Sequence, residues 1–257
     1  MERFTIDRAR LERALQDAAE RQSEGAGIGT LREKLLHATL KNYFSGEDDL
    51  PEQKVGRYVA DLLGPDGVTE IQTGSLYPLK KKIGALIGKM PVTVVCPVMR
   101  QKELFWIDPI TAEVFPGRKS PKKGAPSDLL PEMLYLLDWI GKENFTVVVF
   151  LYDGQEYRLK NGRGTDGKKG GERYERRPTE PVDLFILQSR YDCSALLPEG
   201  CPPSFTASEF SKRTRFRGRK TWAALKFLTE AGVVTRDDTV RPQIYRVARE
   251  EFLIKKG

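Results

Sequence analysis

The run Phe145–Tyr152 contains apolar or aromatic side chains at every position except Thr146. Such a run lacks the polar alternation of a half-exposed strand and is typical of a strand buried on both faces of its sheet. Both faces of that sheet then need cover, which helices elsewhere in the chain have to supply. This segment therefore predicts an α/β fold.

Helical and strand-like segments alternate around the buried run. Apolar spacing and capping signals predict helices at residues 1–22, 30–44, 75–90 and 127–140. Further β-rich runs lie at 57–63, 68–73, 92–98, 104–107 and 182–187, and an acidic loop is expected at 46–52. This order predicts a mixed sheet flanked by helices.

The composition restricts the chemistry. The chain has 257 residues with 43 basic and 36 acidic side chains, and its net charge of +7 favours a polyanionic partner. A single histidine, His37, excludes any site that needs two, and three cysteines without a C-x-x-C pair argue against zinc or a disulfide framework. The charged N-terminus and the lack of a long apolar segment predict a cytoplasmic protein without a membrane partner.

The predicted hairpin around Gly64–Gly67 opposes two carboxylates. The expected cross-strand pairs are Leu63 with Val68 and Leu62 with Thr69. Asp61 then lies opposite Glu70, and Gln72 shares the face of Glu70 because side chains alternate along a strand. Opposed like charges destabilise a hairpin, and a divalent cation with hard oxygen ligands would turn the repulsion into coordination. A solvated hairpin face is the other interpretation, and this pair alone leaves both open.

PD-(D/E)XK nucleases share a fixed order of elements. An acidic residue lies in a first helix and is followed by an Asp, by Glu-x-Lys on the next strand, and by a second helix. Over about residues 28–98 this chain resembles that family, with Glu33, Asp61 and Glu70-Ile71-Gln72 at the matching positions. The resemblance, strongest to Holliday-junction resolvases and restriction endonucleases, implies a restriction-endonuclease-like fold and metal-dependent phosphodiester hydrolysis. The chain departs from the family at Gln72, where lysine is usual, although some restriction enzymes carry Glu-x-Gln.

The same resemblance assigns roles. Asp61, Glu70 and the main-chain carbonyl of Ile71 would hold Mg²⁺ or Mn²⁺, and Gln72 would orient the attacking water without taking its proton. The missing positive charge is expected from the following helix, at Lys80, Lys81 or Lys82, although a solvated helix face also explains each of them. Glu33 is a further catalytic candidate, but a capping box with Thr30 explains it without chemistry.

The C-terminal segment, residues 204–257, resembles winged-helix nucleic-acid-binding domains. Two short helices precede a ribbon at 233–236 and 244–247, with Trp222 counted among the apolar residues of the second helix. Six basic residues crowd the turn and the start of that helix without an acidic one among them: Lys212, Arg213, Arg215, Arg217, Arg219 and Lys220. That region meets nucleic acid in a helix-turn-helix. A protein-interaction module with solvated basic residues is the alternative.

The predicted organisation is an N-terminal helix (1–27), a nuclease domain (28–189), a linker (190–203) and a winged-helix domain (204–257). Basic segments 118–124 and 161–177 are either backbone clamps or mobile loops. The predicted function is that of a Mg²⁺-dependent endonuclease with DNA as its first-choice substrate. A ribonuclease of the same fold and a catalytically inactive DNA-binding regulator are the alternatives, and a homodimer stays open.

Overall fold

The structure, a computed structural model, describes residues 4–24, 34–162 and 171–248. Glu33 and its capping partner Thr30 lie outside these ranges, as do Arg163, Lys168 and Lys169 of the predicted basic loop. The described residues form an α/β fold whose mixed sheet is flanked by helices, which confirms the predicted class. No helix among them is long and apolar enough to cross a membrane.

The larger sheet and its helices come first in the chain. Their elements are α1 (Arg8–Glu24), α2 (Leu35–Phe44), β1 (Leu50–Val55), β2 (Tyr58–Gly64), β3 (Gly67–Ile71), α3 (Leu79–Leu86), β4 (Val92–Ile107), β5 (Val114–Lys119), α4 (Leu130–Met133), β6 (Phe145–Leu159) and β7 (Glu172–Leu187). The C-terminal module follows with β8 (Ser204–Thr206), α5 (Ala207–Thr214), α6 (Arg219–Glu230), β9 (Val234–Asp237) and β10 (Ile244–Val247).

The strand order of the larger sheet is β1-β2-β3-β4-β6-β7, with β5 paired to β4. Strands β2 and β3 form an antiparallel hairpin, whereas β3 and β4 are parallel and α3 is the crossover between them. The three strands of the smaller sheet follow the order β8-β10-β9. The larger sheet is therefore mixed.

The chain divides into two compact units. The first comprises Met1–Pro51, Met99–Gly124 and Phe150–Leu184, and the second comprises Glu52–Val98, Ala125–Val149 and Phe185–Gly257. Strands β1, β4, β6 and β7 each contribute residues to both units. The carboxylate hairpin and the C-terminal module both belong to the second unit.

In the first unit, α1 and α2 pack against each other and place Tyr43 in the core. The Tyr43 hydroxyl donates to the carbonyl of Thr5 at 2.8 Å and accepts from the amide of Asp7 at 3.0 Å. Its ring lies 5.3 Å from that of Phe150. In the second unit β3 is buried along its whole length, and Ile83 of α3 is fully buried as well. The strand that carries Glu70 is therefore part of the buried core of the second unit.

Two strands depart from the predicted loops. Strand β1 replaces part of the acidic loop 46–52, and its largely exposed side chains show no apolar alternation that could have revealed it. Strand β7 begins at Glu172, so Arg173 lies in a strand instead of the predicted basic loop. The guanidinium of Arg173 lies 3.6 Å from the buried carboxylate of Glu156, so the two opposite charges compensate each other. The predicted helix 127–140 is also shorter, since residues after Met133 form turns.

Candidate functional site

The β2–β3 hairpin has the register expected from its turn. Leu62 pairs with Thr69 and Leu63 with Val68, so Asp61 and Glu70 occupy the next opposed positions. At this point the Asp61 carboxylate accepts the amide of Ile71 at 2.7 Å. The side chain of Asp61 is therefore fixed against the strand that carries Glu70.

Gly67 sets the position of β3. Its φ is +92°, and a Cβ there would lie 2.3 Å from the carbonyl oxygen of Pro91. The next amide, that of Val68, donates to the same oxygen at 2.9 Å. Only glycine fits both the backbone angle and the close approach. The start of β3 is thereby held beside the start of β4.

Glu70 is a buried acid with an unsatisfied oxygen. Glu70 is 3% exposed, and its Oε1 has no hydrogen-bond partner among the described residues. Burial and, after it, the nearby carboxylate of Asp61 raise the pKa of Glu70 to about 7, while Lys82 acts in the opposite direction. The site therefore holds a carboxyl group that ionises near neutral pH.

Lys82 is the lysine of α3 that reaches Glu70. Helix α3 buries Leu79 and Leu86, and Lys82 follows at helical spacing beside that buried face. Its ammonium donates to Oε2 of Glu70 and to the carbonyl of Val59. It is itself partly buried, which strengthens the attraction between the two charges.

The other two lysines named from the sequence have different surroundings. Lys80 forms an ion pair with Asp138 at 3.2 Å. Lys81 is exposed, and its backbone carbonyl accepts the hydroxyl of Tyr58 at 3.3 Å. Lys82 is thus the lysine of the three that is bonded to Glu70.

Gln72 faces the turn after β3. Its carboxamide donates to the carbonyl of Ser75 at 2.6 Å, and the Ser75 hydroxyl donates to Glu132 at 2.8 Å. The same Glu132 oxygen accepts the amide of Leu76 at 2.9 Å. These bonds fix the β3–α3 connection and account for Gln72 without chemistry. Sequence reasoning missed Glu132, because nothing local links residue 132 to residue 75.

The carboxylate pair fits a divalent cation held by few protein ligands. Among the described residues no group of three His, Cys, Asp or Glu side chains could hold a metal. Mg²⁺, however, is commonly bound through one or two carboxylates, with water and substrate phosphate completing its shell. The unsatisfied Oε1 of Glu70 beside Asp61 could contact such an ion, and the resemblance to PD-(D/E)XK nucleases implies the carbonyl of Ile71 as a further ligand.

The C-terminal module presents the six predicted basic residues at one turn. Helix α5 begins with a capping box, in which Thr206 accepts the amide of Glu209 at 3.3 Å, and ends at Arg215 with φ +59°. Gly218, with φ +53°, precedes α6. We call Lys212, Arg213, Arg215, Arg217, Arg219 and Lys220 the basic cluster; all six are exposed. Within the described part of the chain none of them forms an ion pair, and Arg213 donates to the carbonyl of Glu199 at 3.1 Å.

Trp222 does not belong to the apolar face of α6. It is 60% exposed, while Leu225, Phe227 and Leu228 are buried as predicted. The ammonium of Lys226, one helical turn later, lies 5.1 Å from the centre of the indole ring. The helix therefore presents an aromatic surface as well as positive charge.

The fold and this site define an α/β protein in which a buried glutamate, Glu70, is bonded to Lys82 and lies beside Asp61. Residues 34–188 match the family described as a domain of unknown function (DUF8091), and the chain belongs to that family. An uncharacterized protein of Treponema pallidum (strain Nichols) is 30% identical over 163 residues, or 63% of this chain. The match spans 62% of that relative's length. No solved structure matches the chain.

Proposed function

We propose that this chain is a metal-dependent nuclease that hydrolyses phosphodiester bonds at the Asp61–Glu70 pair. The observation that carries the proposal is the opposition of two carboxylates, one with an unsatisfied buried oxygen, beside the ammonium of Lys82. Asp61 on β2, Glu70 on the next strand and α3 after it follow the order of the PD-(D/E)XK plan. A restriction-endonuclease-like fold is part of the proposal.

In this mechanism Asp61, Glu70 and the carbonyl of Ile71 would hold Mg²⁺ or Mn²⁺, which would supply the positive charge that activates a water nucleophile. Asp61 stays oriented through the amide of Ile71, and Lys82 supplies the positive charge that the usual lysine of the motif would give. Gln72 keeps the β3–α3 connection in place through Ser75.

The C-terminal module is proposed to be a winged helix that holds the nucleic acid. The order β8-α5-α6-β9-β10 with a three-stranded sheet supports this, and so does the exposed basic cluster at the start of α6. Phosphate contacts at this cluster would not distinguish DNA from RNA, so the proposal keeps DNA as the first choice and RNA as the second. A DNA-binding regulator without catalysis is the rival from another class.

The test is cleavage of duplex DNA, single-stranded DNA and structured RNA, each with and without Mg²⁺. We expect Mg²⁺-dependent cleavage that Asp61→Asn and Glu70→Gln abolish. We also expect Lys82→Met to reduce it by roughly 100-fold or more, because it removes a preorganised charge from the site. Asp66→Asn, in the exposed turn of the same hairpin, and Lys81→Met, on the exposed side of α3, are the matched controls and should cleave normally.

The outcomes separate the candidates. Cleavage of RNA alone identifies the ribonuclease, and tight binding to DNA without any cleavage identifies the regulator. Normal activity in both carboxylate variants would remove the nuclease site from this hairpin.

A further inference from the structure

Trp222 is an exposed aromatic side chain on a helix that otherwise buries its apolar residues. At 60% exposure it leaves most of its large ring surface in water, which is unfavourable for an indole without a partner. Lys226 lies near the ring and pairs with Glu230 at 3.6 Å. The position therefore offers a flat apolar surface next to a cation.

A groove of about 660 Å³ lies beside this side chain, entirely within the C-terminal module. Trp222, Thr221 and Tyr245 line it together with Arg236. Thr221 is 8% exposed, and its hydroxyl has no hydrogen-bond partner among the described residues. A buried hydroxyl without a partner costs free energy unless a ligand bonds to it. The groove thus combines a stacking surface with an unsatisfied hydrogen-bonding group.

The charge around the groove selects the kind of ligand. Arg219 and Lys220 of the basic cluster lie three and two residues before Trp222 on α6, and both are exposed. Phosphate contacts at those residues would place the adjoining nucleotide near the indole. Aromatic surfaces between phosphate-binding cations are the recurring means by which proteins hold unpaired bases.

We infer that this groove binds an unpaired nucleobase, with the base stacked on Trp222 and its edge or sugar bonded to the hydroxyl of Thr221. The inference rests on the nucleic-acid binding in the proposed function and specifies the substrate: single strands, overhangs or flaps are held in addition to duplex. A protein partner at the same groove is the competing occupant.

The experiment measures the affinity of the full chain for fluorescent oligothymidine and for blunt duplex DNA, in a Glu70→Gln background that prevents cleavage. Trp222→Ala should weaken binding to the single strand by roughly 5- to 150-fold, the range measured for loss of one stacked base. Trp222→Phe should retain much of the affinity, and Thr221→Val should lose less than Trp222→Ala does. Duplex affinity should stay the same in all three.

Tyr191→Ala is the control, because Tyr191 is an exposed aromatic side chain (37% exposed) that lies outside the C-terminal module and outside both basic segments. Single-strand affinity equal to wild type in Trp222→Ala would overturn the inference and leave the nuclease proposal standing. An equal loss on duplex, or a change in oligomeric state without nucleic acid, would also overturn it. If the parent protein binds neither oligonucleotide, the nucleic-acid binding in the proposed function fails instead.

Discussion

At the scale of single residues, burial and two charged neighbours act on the carboxyl of Glu70. Burial favours its neutral form, the Asp61 carboxylate adds to that preference, and the Lys82 ammonium opposes it. The balance holds the pKa at about 7, above the ordinary 4.5 of a glutamate. Without a cation, the folded state therefore binds a proton at Glu70 that the unfolded chain has already lost at neutral pH.

The sign of this shift predicts how stability depends on pH. A carboxyl whose pKa is raised by folding stabilises the fold below pH 4.5, and this contribution is lost as the pH rises through about 7. Glu70→Gln stays neutral throughout. Its free energy of unfolding, relative to wild type, should therefore rise by about 2–3 kcal/mol between pH 5 and pH 8. Urea denaturation of both proteins at the two pH values measures this.

Mg²⁺ provides the control for that measurement. At pH 8 the added ion should stabilise wild type, because it binds the folded carboxylate pair, and should have little effect on Glu70→Gln. A difference between the two proteins that does not change with pH would mean that the ionisation of Glu70 is not linked to folding.

At the scale of elements, the hairpin depends on Gly67. Gly67→Ala forces a Cβ against the Pro91 carbonyl as well as an unfavourable φ, and we expect it to cost about 2–4 kcal/mol. Gly56→Ala is the matched control, because Gly56 has φ +62° with no atom within 4 Å of the added Cβ. It should cost about 1 kcal/mol, the backbone strain alone.

Chemical denaturation measures both costs, and the difference between them isolates the close approach. Equal losses in the two variants would show that β3 shifts away from Pro91 without penalty. In that case Gly67 would matter only for the turn.

The hairpin could be predicted because its information is local. Gly64 and Gly67 fix the turn, and the turn fixes the pairing of Asp61 with Glu70. Which of three consecutive lysines reaches Glu70 depends on how α3 rotates against the sheet, and the sequence of α3 alone left that open. The bond from Ser75 to Glu132 joins residues far apart in the chain and has no sequence signal.

The full lengths of strands β6 and β7 were not predicted, for a related reason. The second half of β6 contains Glu156, and Arg173 of β7 is its partner across a large sequence separation. Each looks like a loop residue in its own segment, because only the folded sheet brings the opposite charges together. Lys102 and Arg158 complete the same compensation, at 3.0 and 2.6 Å from the Glu156 carboxylate.

At the scale of the whole molecule, the net charge is +7, and the basic side chains differ in whether an acidic partner neutralises them. Around Glu156, basic side chains neutralise a buried acid. The basic cluster has no ion pair among the described residues and is exposed, so its charge remains available to a polyanion. Binding and chemistry should therefore be separable by mutation, since the cluster and the carboxylate pair lie on different elements of the chain.

The last prediction tests that separation. Changing Arg215, Arg217, Arg219 and Lys220 to glutamine should weaken nucleic-acid binding and reduce the slope of log affinity against log salt by up to about 3.6, since each lost phosphate contact contributes roughly 0.9 on duplex DNA. Turnover at saturating substrate should change little. The control replaces the exposed Lys54, Arg57, Lys89 and Lys142 and removes the same amount of charge. If only the net charge of the protein mattered, both variants would lose the same affinity.

Asp61→Asn should do the reverse, with binding retained and cleavage lost. An unchanged salt slope in the cluster variant would instead assign the nucleic acid to the basic residues at 118–123 and 161–177, and the C-terminal module to a protein partner.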